Sequence, residues 1–139
     1  MLNLLLDKTS SKFPDNAALI FEGKTYSYAD LSHLTQSLAF SLQQRGINPR
    51  DRIAFLLPNC LQIILCYYAC FEIGAIAVPL NLRFCPELLK HVINHSGARV
   101  LVTEPDSFAQ IEKIRPSLPG VELYYLTRNS RVSGPSTNC

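Results

Sequence analysis

An amphipathic stretch of helical length, a glycine and a short β-rich run follow one another three times, around Gly46, Gly74 and Gly97. No other feature of the chain constrains its fold as tightly. Strands that alternate with helices need crossover connections, and those favour parallel pairing with helices on the sheet faces. In the first unit, "YADLSHLTQSLAFSLQQRG" spaces Leu31, Leu34, Leu38 and Leu42 about one turn apart, giving a single apolar stripe. Ser27 followed three residues later by Asp30 reads as a capping box, so the helix is predicted to begin near Tyr28. Gly46 then suits the left-handed residue that closes a helix, and residues 51–58, "DRIAFLLP", read as a buried strand stopped by Pro58.

The second unit takes Asn59 as its predicted N-cap and Gly74 as its closing residue, with a strand over residues 75–80. In the third, Pro86 sits in the first helical turn, where its missing N–H is harmless. Gly97 ends that helix, and residues 98–103 form the next strand. A weaker fourth unit covers residues 105–127. Ahead of all four, residues 17–28 carry a hairpin signal around Glu22, Gly23 and Lys24, and the leucine cluster at the N-terminus reads as the start of an amphipathic helix. The predicted fold class is therefore α/β: a helix and a β-hairpin, then helix–strand units in a partly parallel sheet. Residues 1–127 are assigned to this unit and residues 128–139 to a polar tail expected to be disordered.

The apolar stretch "CYYACFEIGAIAVPLN" (residues 66–81) raises three readings: a membrane span, a thiol site, or a buried piece of a domain. A spanning helix needs about 20 consecutive apolar residues. The longest uninterrupted run here, Ile63 to Phe71, has nine, and Gly74 and Pro79 follow it. It is read instead as a buried helix and a strand. Cys66 and Cys70 lie four apart and share a helix face, but no C-x-x-C pair or further ligand joins them, so they are read as packing residues. His91 and His95 repeat that spacing. Leu88, Leu89, Val92 and Ile93 mark the predicted buried side of their helix, which leaves Glu87, His91, Asn94 and His95 on a solvated face.

Charge narrows the function classes. The net charge is +2 and Lys and Arg are scattered singly, a pattern that does not suit a nucleic-acid partner. No basic leader precedes the N-terminal leucines and Asp7 interrupts them, so the expected compartment is the cytoplasm. Glycines never fall closer than 14 residues apart, which leaves no glycine-rich phosphate loop of either G-x-G-x-x-G or G-x-x-x-x-G-K type. An independent nucleotide or flavin domain is disfavoured for that reason.

Three segments resemble the opening of the adenylate-forming (AMP-binding) ligases, which include acyl-CoA synthetases and aryl-CoA ligases. Tyr26, Ser27, Tyr28, Ala29, Asp30 and Leu31 are similar to the first core motif, with Asp30 where glutamate is usual. "CFEIGAIAVPLN" (70–81) is similar to the second, and "PELLKHVINHSGARVLVTE" (86–104) to the stretch after it. The resemblance covers residues 10–104, with a weaker continuation to 127. It implies a family reaction in which a carboxylate attacks the α-phosphate of ATP, giving an acyl adenylate and pyrophosphate, after which coenzyme A takes the acyl group. ATP, Mg2+ and coenzyme A are thus implied for the complete enzyme. The family's Ser/Thr/Gly-rich phosphate loop, Tyr-Gly-x-Thr-Glu segment, ribose-binding Asp and C-terminal Lys have no counterpart in these residues. No catalytic, cofactor-binding or metal residue is therefore assigned to this chain, and no cofactor. The expectation is a truncated N-terminal portion of an acyl- or aryl-CoA ligase, inactive alone. The alternative is a non-catalytic interaction module that pairs with a full-length ligase or another partner. The expected partnership is self-association or pairing with the missing remainder of the ligase.

Overall fold

A computed structural model describes residues 3–127 of the chain; the tail assigned to residues 128–139 lies outside the described residues. Helix α1 (Asn3–Lys12) is followed by the hairpin β1 (Ala17–Phe21) and β2 (Lys24–Ser27), paired antiparallel. Then come α2 (Tyr28–Gln44), β3 (Arg52–Leu56), α3 (Leu61–Ile73), β4 (Ile76–Pro79), α4 (Pro86–Ser96), β5 (Val100–Thr103) and α5 (Pro105–Ile114). A short 3-10 turn (Arg115–Ser117) leads into β6 (Leu123–Leu126). The last four strands form one sheet in the order β4-β3-β5-β6, with every pair parallel.

Alternation along the strands decides what each face buries. Ile53, Phe55, Val100 and Val102 point to the side where α2 and α3 pack, and meet Ala39, Leu42, Cys66, Ala69, Cys70 and Ile73. Ala54, Leu56 and Leu101 point the other way, to Leu89 and Ile93 of α4 and Ile111 and Ile114 of α5. The inner strands β3 and β5 are apolar on both faces, as a sheet covered on both sides requires. A third, smaller cluster joins Leu6 of α1, Leu31 of α2 and Leu61 of α3 to the hairpin. Leu4 and Leu5 stay exposed, so α1 is amphipathic through Leu6.

Local chemistry explains the boundaries. At the start of α2 the Ser27 hydroxyl accepts the Asp30 N–H at 3.1 Å, and the Asp30 carboxylate accepts the Ser27 N–H at 2.9 Å. These are the reciprocal bonds of a capping box, and that carboxyl is held below its usual range chiefly by the backbone bond. Helix α3 ends at Gly74, whose φ of 78° is left-handed, with Ala75 N–H donating to the Cys70 carbonyl.

Two sequence expectations shift. The N-cap of α3 is Cys60, not Asn59, and it makes no side-chain capping bond. Leu57 and Pro58 carry the chain past the end of β3, and burial of Leu61, Cys66, Ala69 and Cys70 anchors the helix instead. Leu88 is 41% exposed, because α4 rests on Leu89 and Ile93, one turn apart, and a neighbouring position is rotated about 100° off that line. No described helix is long and apolar enough to cross a membrane.

Candidate functional site

In open parallel sheets ligands bind outside the carboxyl ends of the strands, where successive crossovers leave on opposite faces. Here α3 leaves β3 on one face while α5 leaves β5 on the other, which puts the switch point between β3 and β5. The side chain of Thr103 closes that gap. It is fully buried, and its hydroxyl reaches the Leu56 carbonyl across the two strands at 3.2 Å.

The open concavity at this end sits one strand over, above β3 and β4. It encloses about 470 Å³ over Leu57, Pro58, Ile63 and Leu80, with Asn59, Asn81 and Arg83 as its polar members. The loop is shaped by Asn81, whose side-chain oxygen accepts the Arg83 N–H at 2.9 Å and whose carbonyl accepts the Phe84 N–H at 3.0 Å. Among the described residues no carboxylate pairs with the Arg83 guanidinium. One cation and two amides over an apolar floor can meet an anionic group, but they supply no nucleophile with an adjacent base.

Two of the helix N-termini at the same edge, those of α4 and α5, are poorly suited to a phosphate, while that of α3 opens without proline or acid. A helix start attracts anions when its free N–H groups face them unopposed. Neither α4 nor α5 has a side-chain cap, and each opens with proline and an acid: Pro86 and Glu87, Pro105 and Asp106. Each proline removes a donor, and each acid places a carboxylate in the first turn, that of Glu87 paired with Lys90.

A second concavity, about 230 Å³ and almost wholly apolar, lies where α2 and α3 meet the open side of β6. Leu38, Leu42, Leu65, Cys66, Val102 and Tyr125 wall it. The Tyr125 hydroxyl is buried there without a hydrogen-bond partner among the described residues, and the Arg45 guanidinium lies 5.4 Å from its ring centre. Cys66 is held as a thiol: burial first, then Cys70 and Cys60, push its pKa up to about 12. Burial alone lifts Cys70 to about 12 as well. Thiolates are the metal ligands and nucleophiles, so the packing reading of this pair stands. His91 and His95 are both exposed, on the face expected for them, with their rings stacked 5.7 Å apart.

The sequence reading named none of Asn59, Asn81, Arg83 or Tyr125 as site residues. Asn81 and Arg83 lie one and three residues past Leu80, so the signal was polar residues just past a strand end. The Tyr125 hydroxyl, unpartnered among the described residues, has no sequence signal, since it depends on what α2 and α3 place above β6.

Residues 6–136 match the profile of the family described as AMP-binding enzyme. The chain belongs to that family. The match runs past residue 127, the end of the weaker continuation of the sequence resemblance. 2-Succinylbenzoate–CoA ligase from Oceanobacillus iheyensis is 34% identical over 128 residues, covering 91% of this chain and 26% of the relative. Feruloyl-CoA synthase from Amycolatopsis sp is 38% identical over 93 residues, covering 67% of this chain and 19% of its own length. Crotonobetaine/carnitine–CoA ligase from Salmonella paratyphi A is 32% identical over 119 residues, with 82% and 23% covered. The chain thus spans about a quarter of the curated relatives it matches.

Solved structures agree on the fold. Coronafacic acid ligase from Pectobacterium brasiliense superposes with a TM-score of 0.86 at 25% identity, covering 96% of this chain and 27% of that one. A fatty acyl CoA synthetase from Mycobacterium tuberculosis gives 0.87 at 23% identity, covering 99% and 30%. The layers described above are those of the N-terminal subdomain of adenylate-forming ligases.

Proposed function

We propose that this chain is an N-terminal portion of an ATP-dependent acyl- or aryl-CoA ligase, and that it does not adenylate a carboxylate alone. The observation that carries the proposal is the carboxyl edge of the sheet. Transfer at a triphosphate needs converging donors and cations around the phosphates. Among the described residues that edge offers one guanidinium without a carboxylate partner, and two of its helix starts carry an acid and a proline. In the complete enzyme ATP, Mg2+ and coenzyme A would be handled by residues beyond these, while this part supplies the sheet and helix layers on which they rest. The expected setting is the cytoplasm.

The test is ATP–pyrophosphate exchange with aliphatic and aromatic acids. The 139-residue chain is expected to show none, and the remainder of a related ligase added in trans is expected to restore it. Exchange by this chain alone overturns the proposal.

A second reading, a non-catalytic interaction module, draws support from the sides of β4 and β6 that no described strand covers, and from the apolar cavity beside β6. Sedimentation separates the two. Concentration-dependent self-association, or a stable complex with a full-length ligase, favours the module, and a monomer over a wide concentration range counts against it.

A further inference from the structure

We infer that His91 and His95 form a two-point chelate for a borderline divalent transition-metal ion, Zn2+, Ni2+ or Cu2+, on the outer face of α4. Residues four apart on a helix stand one above the other. Here the imidazoles face each other nearly parallel, with 11° between their planes and 5.7 Å between their centres. Both rings are exposed, so neither is held by packing. Imidazole nitrogens bind these ions at about 2.0–2.1 Å. Two donors on one ion therefore come about 3 Å apart. Tilting the two rings toward each other brings a nitrogen of each within reach of a common ion, with the helix backbone unchanged.

The surroundings set the character of the site. His91 and His95 share a shallow concavity with Glu87, Lys90 and Asn94. Glu87 lies one turn before His91, but its carboxylate is paired with the Lys90 ammonium. The Asn94 amide donates to the Ser117 carbonyl at 2.9 Å. Among the described residues no three His, Cys, Asp or Glu side chains converge as a metal site. The chelate is therefore bidentate, with water completing the coordination, and it binds more weakly than a closed four-ligand zinc site. Imidazole donors select these ions over Mg2+ and Ca2+, which prefer oxygen. The buried Cys66 and Cys70 do not compete, since burial keeps them protonated.

The experiment follows imidazole nitrogen resonances of the full chain during Zn2+ titration at mildly alkaline pH, where an ordinary imidazole is neutral. His91 and His95 are expected to move together with one half-saturation concentration, while His33 stays in place. In His91→Ala, the half-saturation for His95 should rise by roughly tenfold or more, since a lost donor worth about 1.4 kcal/mol has that effect. His95→Ala should do the same to His91. The inference is overturned if His95 keeps its half-saturation when His91 is alanine. It is equally overturned if the wild-type signals show no saturable shift up to millimolar Zn2+.

Discussion

Gly74 shows how much one backbone angle decides. Its φ of 78° lies where an L side chain is strained, while a Cβ placed there would meet only the Pro49 side chain at 3.5 Å, an ordinary contact. The cost of Gly74→Ala is therefore conformational rather than a collision. It is expected to destabilise by about 1–3 kcal/mol, measured by urea unfolding. Cys66 and Cys70 carry a different kind of information. Their folded pKa values, each about 12, lie above that of an unfolded thiol, so between those limits the unfolded chain binds fewer protons than the native one. Stability is then complete below about pH 8.5 and falls as pH rises, by about 1.4 kcal/mol per pH unit for each thiol. The melting temperature should fall across that alkaline range accordingly, and Cys66→Ala should flatten the dependence relative to the parent chain.

At the scale of the element, burial ranks the leucines in a way their spacing does not. Leu101 on β5 is fully buried, and Leu101→Ala should cost about 2–5 kcal/mol. Leu65 on α3 is only half-buried and borders the apolar cavity, so Leu65→Ala should cost clearly less in the same denaturant series. Helix α2 rests on its capping box. Ser27→Ala should lower the melting temperature by removing the acceptor for the Asp30 N–H. Because the Asp30 carboxyl is depressed in the fold, its share of stability is present above the ordinary carboxylate range and is lost as pH falls through the folded value. The helix starting at Tyr28, the closing glycines and the parallel strands were legible because caps, left-handed residues and apolar runs are local signals. Asn59 misled because its amide competes with burial of Leu61 and Cys66, which a linear reading cannot weigh. Leu88 misled because four apolar residues cannot all face one line on a helix. Tyr125 was illegible for a third reason, since its surroundings come from segments far apart in the chain.

Across the whole molecule, one residue fastens three strands at the amino end of the sheet. The Arg99 guanidinium, just before β5, binds Asp51 ahead of β3 at 2.6 Å and Glu122 ahead of β6 at 2.7 Å. Hydrogen bonding to Glu122 contributes most to raising its pKa. Arg99→Met should leave the core intact while speeding amide exchange in β6 most, and added salt should narrow the difference between variant and parent. The strand order β4-β3-β5-β6 has a further consequence during synthesis. When residue 97 has emerged from the ribosome, β3 and β4 can already pair, yet the flank of β3 that takes β5 has nothing to hold. Ile53 and Phe55 then sit beside an open row of amides until Val100 to Thr103 leave the ribosome, and a chain halted in that interval should be sticky enough to recruit a chaperone.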